Sequence, residues 1–172
     1  MMKALVVYES MFGNTEQIAR AVADGLGESV DVQMADVTDA PREPDPELGL
    51  IVAGGPTHAF SMSRTSTRTD AISRGAHEGE PEFGLREWLG TLPSGPHTEQ
   101  MATFDTKVER MHHLPGSAAK SAAKAARRHG YESAAKAESF YVRDIDGPLL
   151  DGELDRARAW GQQLAASITA AT

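Results

Sequence analysis

Two short runs, Ala4–Tyr8 (ALVVY) and Leu48–Gly54 (LGLIVAG), are apolar from end to end. Strands that read this way are covered on both faces, the situation of a parallel sheet sandwiched between helices. Between them Ile18, Ala19, Val22, Ala23 and Leu26 recur at helical spacing, and the pattern stops at Gly25 and Gly27. Val30, Val32 and Met34 then alternate with Asp31 and Gln33, as on a half-exposed edge strand. The segment Ala40–Asp45, with Pro41 and Pro44 among charges, reads as a surface loop.

The second half repeats the alternation. From Gly55 the pattern weakens for about thirty residues, and only a short helix near Thr67–Arg74 is expected there. Leu85–Leu92 reads as a helix stopped by Pro93, and Gln100–Asp105 (QMATFD) as a strand. After an irregular stretch, Thr106–Gly116, the alanine-rich run to His129 begins at a capping Ser117 and ends at Gly130. It is expected to pack tightly on a sheet through its small side chains. Ser139–Val142 is the last strand, and Asp151–Ile168 a closing helix with Leu154, Ala157, Gly161, Leu164, Ala165 and Ile168 on one stripe. Helices between strands force parallel pairing through right-handed crossovers, so the expected fold is α/β, a doubly wound five-stranded parallel sheet. A chain of 172 residues fits one such domain, 1–172.

Composition narrows the function classes. With 17 basic and 25 acidic residues the net charge is −8, which disfavours nucleic acid and anionic membranes as partners. The absence of cysteine excludes disulfides, thiolate metal sites, cysteine-ligated iron–sulfur clusters and cysteine nucleophiles. The six histidines (58, 77, 97, 112, 113 and 129) are too scattered to suggest a metal site. No apolar run is long enough to span a bilayer, and five apolar residues after Met1-Met2-Lys3 are too few for a signal-peptide core. A soluble, cytoplasmic protein is expected.

In an open parallel sheet, ligands bind outside the carboxyl ends of the strands. Three segments fall there: Glu9–Thr15, Gly55–Ser66 and Asp105–Gly116. The first combines hydroxyl and amide side chains, a glycine and a helix N-terminus, the elements of an anion cradle, without any Lys or Arg. Ser10, Asn14 and Thr15 are equally the residue types that cap helices, so this segment alone supports capping and phosphate binding alike. A G-x-x-x-x-G-K-[S/T] loop and a G-x-G-x-x-G turn after a strand are both absent. The first strand also lacks the paired aspartates of a phosphoacceptor domain.

Three motifs carry a resemblance: VYESMFGNTE at 7–16, VAGGPTHAF at 52–60 and FDTK at 104–107. With the element order, they make the chain resemble the flavodoxin-like family of FMN-binding proteins over nearly its whole length. The resemblance implies strand order 2-1-3-4-5 and FMN as cofactor. It also implies that Ser10, Phe12, Gly13, Asn14 and Thr15 hold the phosphate, in the loop after the first strand. Pro56, Thr57, His58 and Ala59 would line one side of the isoalloxazine and Asp105, Thr106 and Lys107 the other, in the loops after the third and fourth strands. Neither of those two loops contains the Trp or Tyr that flavodoxins place against the ring. His58 and Phe60, or Met111, His112 and His113, are the substitutes at hand, so weaker ring stacking is expected.

Arg64, Arg68, Lys107 and Arg110 lie in the ring loops: turned to the ring they would favour the anionic hydroquinone and give a less negative second potential, and turned to solvent they would serve solubility or a partner. The resemblance implies an electron-transfer protein working with a redox partner protein or a small-molecule acceptor. A flavin-dependent oxidoreductase of a small acceptor such as a quinone, and a regulatory module of the same fold without FMN, are the competing expectations.

Overall fold

The computed structural model describes residues 1–170. In chain order the elements are β1 (Lys3–Tyr8), α1 (Asn14–Leu26), β2 (Asp31–Asp36), β3 (Leu48–His58), β4 (Ser61–Met62), α2 (Thr65–Ser73) and α3 (Leu85–Thr91). There follow β5 (Gln100–Val108), α4 (Ala118–Arg128), β6 (Glu132–Ser133), β7 (Glu138–Val142) and α5 (Glu153–Ala170). The sheet runs β2-β1-β3-β5, with β6 and β7 both pairing parallel to β5. The expected 2-1-3-4-5 order is therefore present, its fifth position divided into two pieces. β6 pairs with Gln100 and Met101, and β7 with Phe104–Val108.

Side-chain alternation assigns the two faces. Ala4, Val6 and Tyr8 of β1, with Leu50 and Val52 of β3, face α1 and α5; Leu5, Val7, Ile51 and Ala53 face α3 and α4. In the first core Phe104, Phe140 and Trp160 meet edge to face, with centroids 5.9–6.3 Å apart. Each such pair contributes about 0.5–1.5 kcal/mol beyond burial. Gly25, read from the sequence as a helix end, lies inside α1: a Cβ there would collide with the Arg158 carbonyl, and one at Gly161 with the Val22 carbonyl. These two glycines let the backbones of α1 and α5 touch. On the other face Ala118, Ala119, Ala122 and Ala126 are buried, the close packing expected of the alanine-rich helix.

Two strands run longer than their sequence patterns, β3 to His58 and β5 to Val108. β3 then turns back as a hairpin with β4 through Ala59 and Phe60, both at positive φ (48° and 66°). Glycine and asparagine mark such turns in a sequence; neither is present here. No helix among the described residues is long and apolar enough to cross a membrane.

Candidate functional site

The carboxyl ends of β1, β3 and β5 open into a cleft of about 380 Å³. Its polar end is the turn from β1 into α1. Ser10 is buried and its Oγ accepts the N–H groups of Gly13 (3.2 Å) and Glu16 (3.3 Å). Gly13 is left-handed (φ 90°) and starts α1 without a side-chain cap. The N–H groups of Phe12, Asn14 and Thr15 find no protein acceptor among the described residues, as the opening turn of a helix requires. Thr15 Oγ1 lies 2.8 Å from Thr106 Oγ1, joining this turn to the end of β5.

The remainder of the cleft is largely apolar. Pro56, Thr57, His58 and Ala59 line it, as do Ala71, Val108, Val142 and Ile145. His58 shares a hydrogen bond of 2.9 Å between its Nδ1 and Thr67 Oγ1. Burial, reinforced by the charge of Arg68 and opposed by that of Asp70, lowers the His58 pKa to about 4. The imidazole facing the cleft is thus neutral at pH 7.

Of the twelve residues assigned from the sequence, Phe12, Asn14, Thr15, Pro56, Thr57, His58, Ala59 and Thr106 line the cleft. The side chains of Ser10, Asp105 and Lys107 do not, and Gly13 acts through its backbone. Ser10 serves the turn itself. Asp105 is fully buried beneath α4, its Oδ2 accepting Ala119 N–H at 2.9 Å, while Oδ1 has no hydrogen-bond partner among the described residues. Burial pushes its carboxyl pKa up, against the Ala119 N–H and the nearby Ser139, Ser117 and Thr57 hydroxyls. Lys107 folds back so that Nζ donates to the carbonyls of Leu114 (2.9 Å) and Gly116 (3.1 Å), closing its own loop. The wall from α2 (Thr67, Asp70, Ala71, Arg74) and the loop after β7 (Val142, Ile145) have no counterpart in the sequence reading. Helix α2 is polar in sequence, and nothing local marked it as a cleft wall.

The expectation that Arg68 or Lys107 turns its charge to the ring is corrected, since both are buried and bonded within the protein. Arg68 is fully buried: it pairs with Glu9 (Nε–Oε2 3.6 Å) and Glu87 and donates to Ser63 Oγ and the Pro81 carbonyl. Glu9 also accepts from Ser63 Oγ and from Leu85 N–H at the start of α3, and burial still raises its pKa. Arg110 pairs with Asp144 at 3.3 Å, and Arg64 is exposed. The cation that does reach the cleft wall is Arg74, paired with Asp70 at 2.9 Å.

The segment after α2 covers the polar end. His77 and Glu78 N–H groups donate to the Met11 carbonyl, each at 3.1 Å, and the Glu78 carboxyl lies beside Gly13. Burial and the neighbouring Glu16 raise the Glu78 pKa.

Comparison with known proteins agrees with this architecture. The flavodoxin family model matches residues 6–68. A flavodoxin from the domain Archaea superposes with a TM-score of 0.64 at 21% identity, covering 98% of this chain and 99% of that one. The flavodoxin of Streptococcus pneumonia TIGR4 gives 0.61 at 19%, with 99% of each chain covered. The Flv1 flavodiiron core from Synechocystis sp. PCC6803 gives 0.64 at 15%, over 99% of this chain and 37% of that one. No curated protein sequence matches the chain. The fold is flavodoxin-like over nearly the whole chain, and residues 6–68 resemble the flavodoxin family in sequence.

Proposed function

We propose that the cleft binds FMN and that the protein transfers electrons. The observation that carries this reading is the juxtaposition of unpartnered N–H groups at Phe12, Asn14 and Thr15 with an apolar-walled cleft. That donor set fits a phosphate: helix N-termini take anions through backbone dipoles without needing a lysine. The apolar walls fit a flat heteroaromatic ring, and a neutral His58 adds no charge beside it.

Bound FMN would supply one- and two-electron chemistry, and the protein would orient the ring and exclude water from it. Thr15 and Thr106 hydroxyls would stand at the phosphate end, with Pro56, His58, Val108 and Ile145 toward the ring. The Glu9–Arg68 pair lies inside the protein and holds the loop after β3 against α3. Its charge is balanced, so Arg68 gives little support to the less negative hydroquinone potential that cations near the ring would bring.

Titration of apoprotein with FMN, read by quenching of flavin fluorescence, tests the reading. Saturable 1:1 quenching is expected, and an apoprotein that leaves FMN fluorescence unchanged refutes it. NAD(P)H turnover with quinones separates the two redox roles: a carrier shows essentially none alone.

A further inference from the structure

From Arg110 to Tyr131 the sequence contains five basic residues and no acid, while all 25 acids lie elsewhere. Four of the five, Lys120, Lys124, Arg127 and Arg128, are on α4 and exposed. Their spacing (i, i+4, i+7, i+8) puts them on one face of a helix about 16 Å long. None of the four has a salt bridge among the described residues, although nearly every other exposed element of the chain carries acids. On a protein of net charge −8, this stripe is the exception.

Helix α4 is anchored to the cleft. Its Ala118 N–H donates to Thr57 Oγ1 on the cleft wall at 2.9 Å, and Ser121 Oγ lies 2.9 Å from Ser61 Oγ of β4. Gly116, just before the helix cap, packs against Phe60. Phe60 is 49% exposed and held in a left-handed turn. That conformation is costly for a bulky residue and persists where something needs it. Ile72, Met111 and Ile145, three further exposed apolar side chains, sit on segments bordering the cleft. Exposed apolar groups on segments bordering one mouth, with an unpaired basic stripe leading away from it along α4, have the composition of a protein-binding surface.

We propose that this apolar collar and the α4 basic stripe form the docking face for a protein partner that presents an acidic patch. Charge complementarity names the occupant: the stripe attracts acids and steers them to the cleft mouth, while the collar supplies the desolvated contact. Nucleic acid suits the face less well, since the collar is mostly aliphatic and the remaining surface of a protein of net charge −8 repels a polyanion. The redox purpose of the face rests on the electron-transfer reading; its binding of an acidic protein does not.

The test is amide chemical-shift mapping on the isotope-labelled chain, with and without FMN, using a plant-type [2Fe–2S] ferredoxin as the acidic probe. Shifts are expected at Phe60, Arg64, Met111 and along 117–128, with affinity falling steeply as salt rises. The variant K120E/K124E/R127E/R128E is expected to weaken binding at least about tenfold. The milder variant K120Q/K124Q should lie between it and the parent, and circular dichroism verifies that both remain folded. Shifts centred elsewhere, or equal affinity for the charge-reversed chain, would overturn the proposal. So would stripe-dependent binding of a DNA oligonucleotide, of phosphatidylserine vesicles or of a second copy of the chain in place of the ferredoxin. Mapping on the apoprotein needs no flavin, so a failed FMN titration leaves this result standing.

Discussion

The two ends of the cleft are built on opposite plans. At the β1–α1 turn the groups available to a ligand are backbone N–H groups and hydroxyls, and among the ionisable side chains beside it, His77 and Glu78, the one nearest Gly13 is an acid. Behind the loop after β3 buried Glu9, Arg68 and Ser63 join the partly exposed Glu87 in an ionic network, none of which lines the cleft. One end works through main-chain direction and the other through side chains that hold a loop from beneath. Substitutions should therefore act differently at the two ends: on stability behind the second loop, and on ligand affinity at the first.

The largest effect is expected from Arg68→Met. The side chain is fully buried, and its loss leaves Glu9 in the interior without its cation. Breaking a buried pair costs about 3–5 kcal/mol, measurable by urea unfolding. The double variant Glu9→Gln/Arg68→Met should recover much of that loss, because it buries no unpaired charge. A single variant as stable as the parent would show that the network does not support this end.

His58 gives the same end a pH signature. Its folded pKa, about 4, lies below the ordinary 6.5, so the fold favours the neutral ring. The stability this confers is complete above pH 6.5 and is lost as pH falls toward 4, to the extent of about 2–3 kcal/mol for a half-buried group. Buried Glu9 and Asp105 have raised pKa values and act with the opposite sign over the acid range. The difference between the parent and His58→Gln isolates the histidine: the variant should lose less stability between pH 6.5 and 4. Parallel curves would remove His58 from the account.

At the other end Gly13→Ala tests whether function resides in the main chain. A residue with a Cβ at φ 90° is strained by about 1–2 kcal/mol, and the added methyl would come within 3.3 Å of Glu78 Oε1. Calorimetry should show weakened FMN binding together with a modest loss of stability. If only stability falls, the turn shapes α1 and not a phosphate site.

The same contrast explains what could be read from the sequence. The strand-and-helix alternation and the polar turn after the first strand were legible because period, glycine and hydroxyl placement are local signals; the strand order came only with the family resemblance. Ser10, Asp105 and Lys107 lie at strand ends that border the cleft, but which way a side chain turns depends on partners far along the chain. Asp105 is drawn under α4 by Ala119 N–H and Lys107 by the Leu114 and Gly116 carbonyls. Arg68 read as an exposed cation because Glu9, 59 positions earlier, cannot be paired with it from sequence alone. The Ala59-Phe60 hairpin lacked the glycine or asparagine that would have announced it. Helix α2, with no apolar stripe, gave no sign that it walls the cleft.

The smallest effect sharpens the contrast most. Glu78 places a carboxyl beside Gly13, held there by two hydrogen bonds from its own segment to the Met11 carbonyl. If the turn seats a phosphate, that carboxyl repels it when ionised, and its raised pKa is the same unfavourable crowding seen without ligand. Glu78→Gln keeps the shape and the backbone bonds while removing the charge. FMN should then bind about two- to fivefold more tightly at low salt, with the gain shrinking as salt screens the interaction. Riboflavin, which has the ring but no phosphate, should bind both proteins equally. An equal gain for riboflavin would place the effect of Glu78 on the ring, and with it the polar end of the cleft would no longer be the phosphate end.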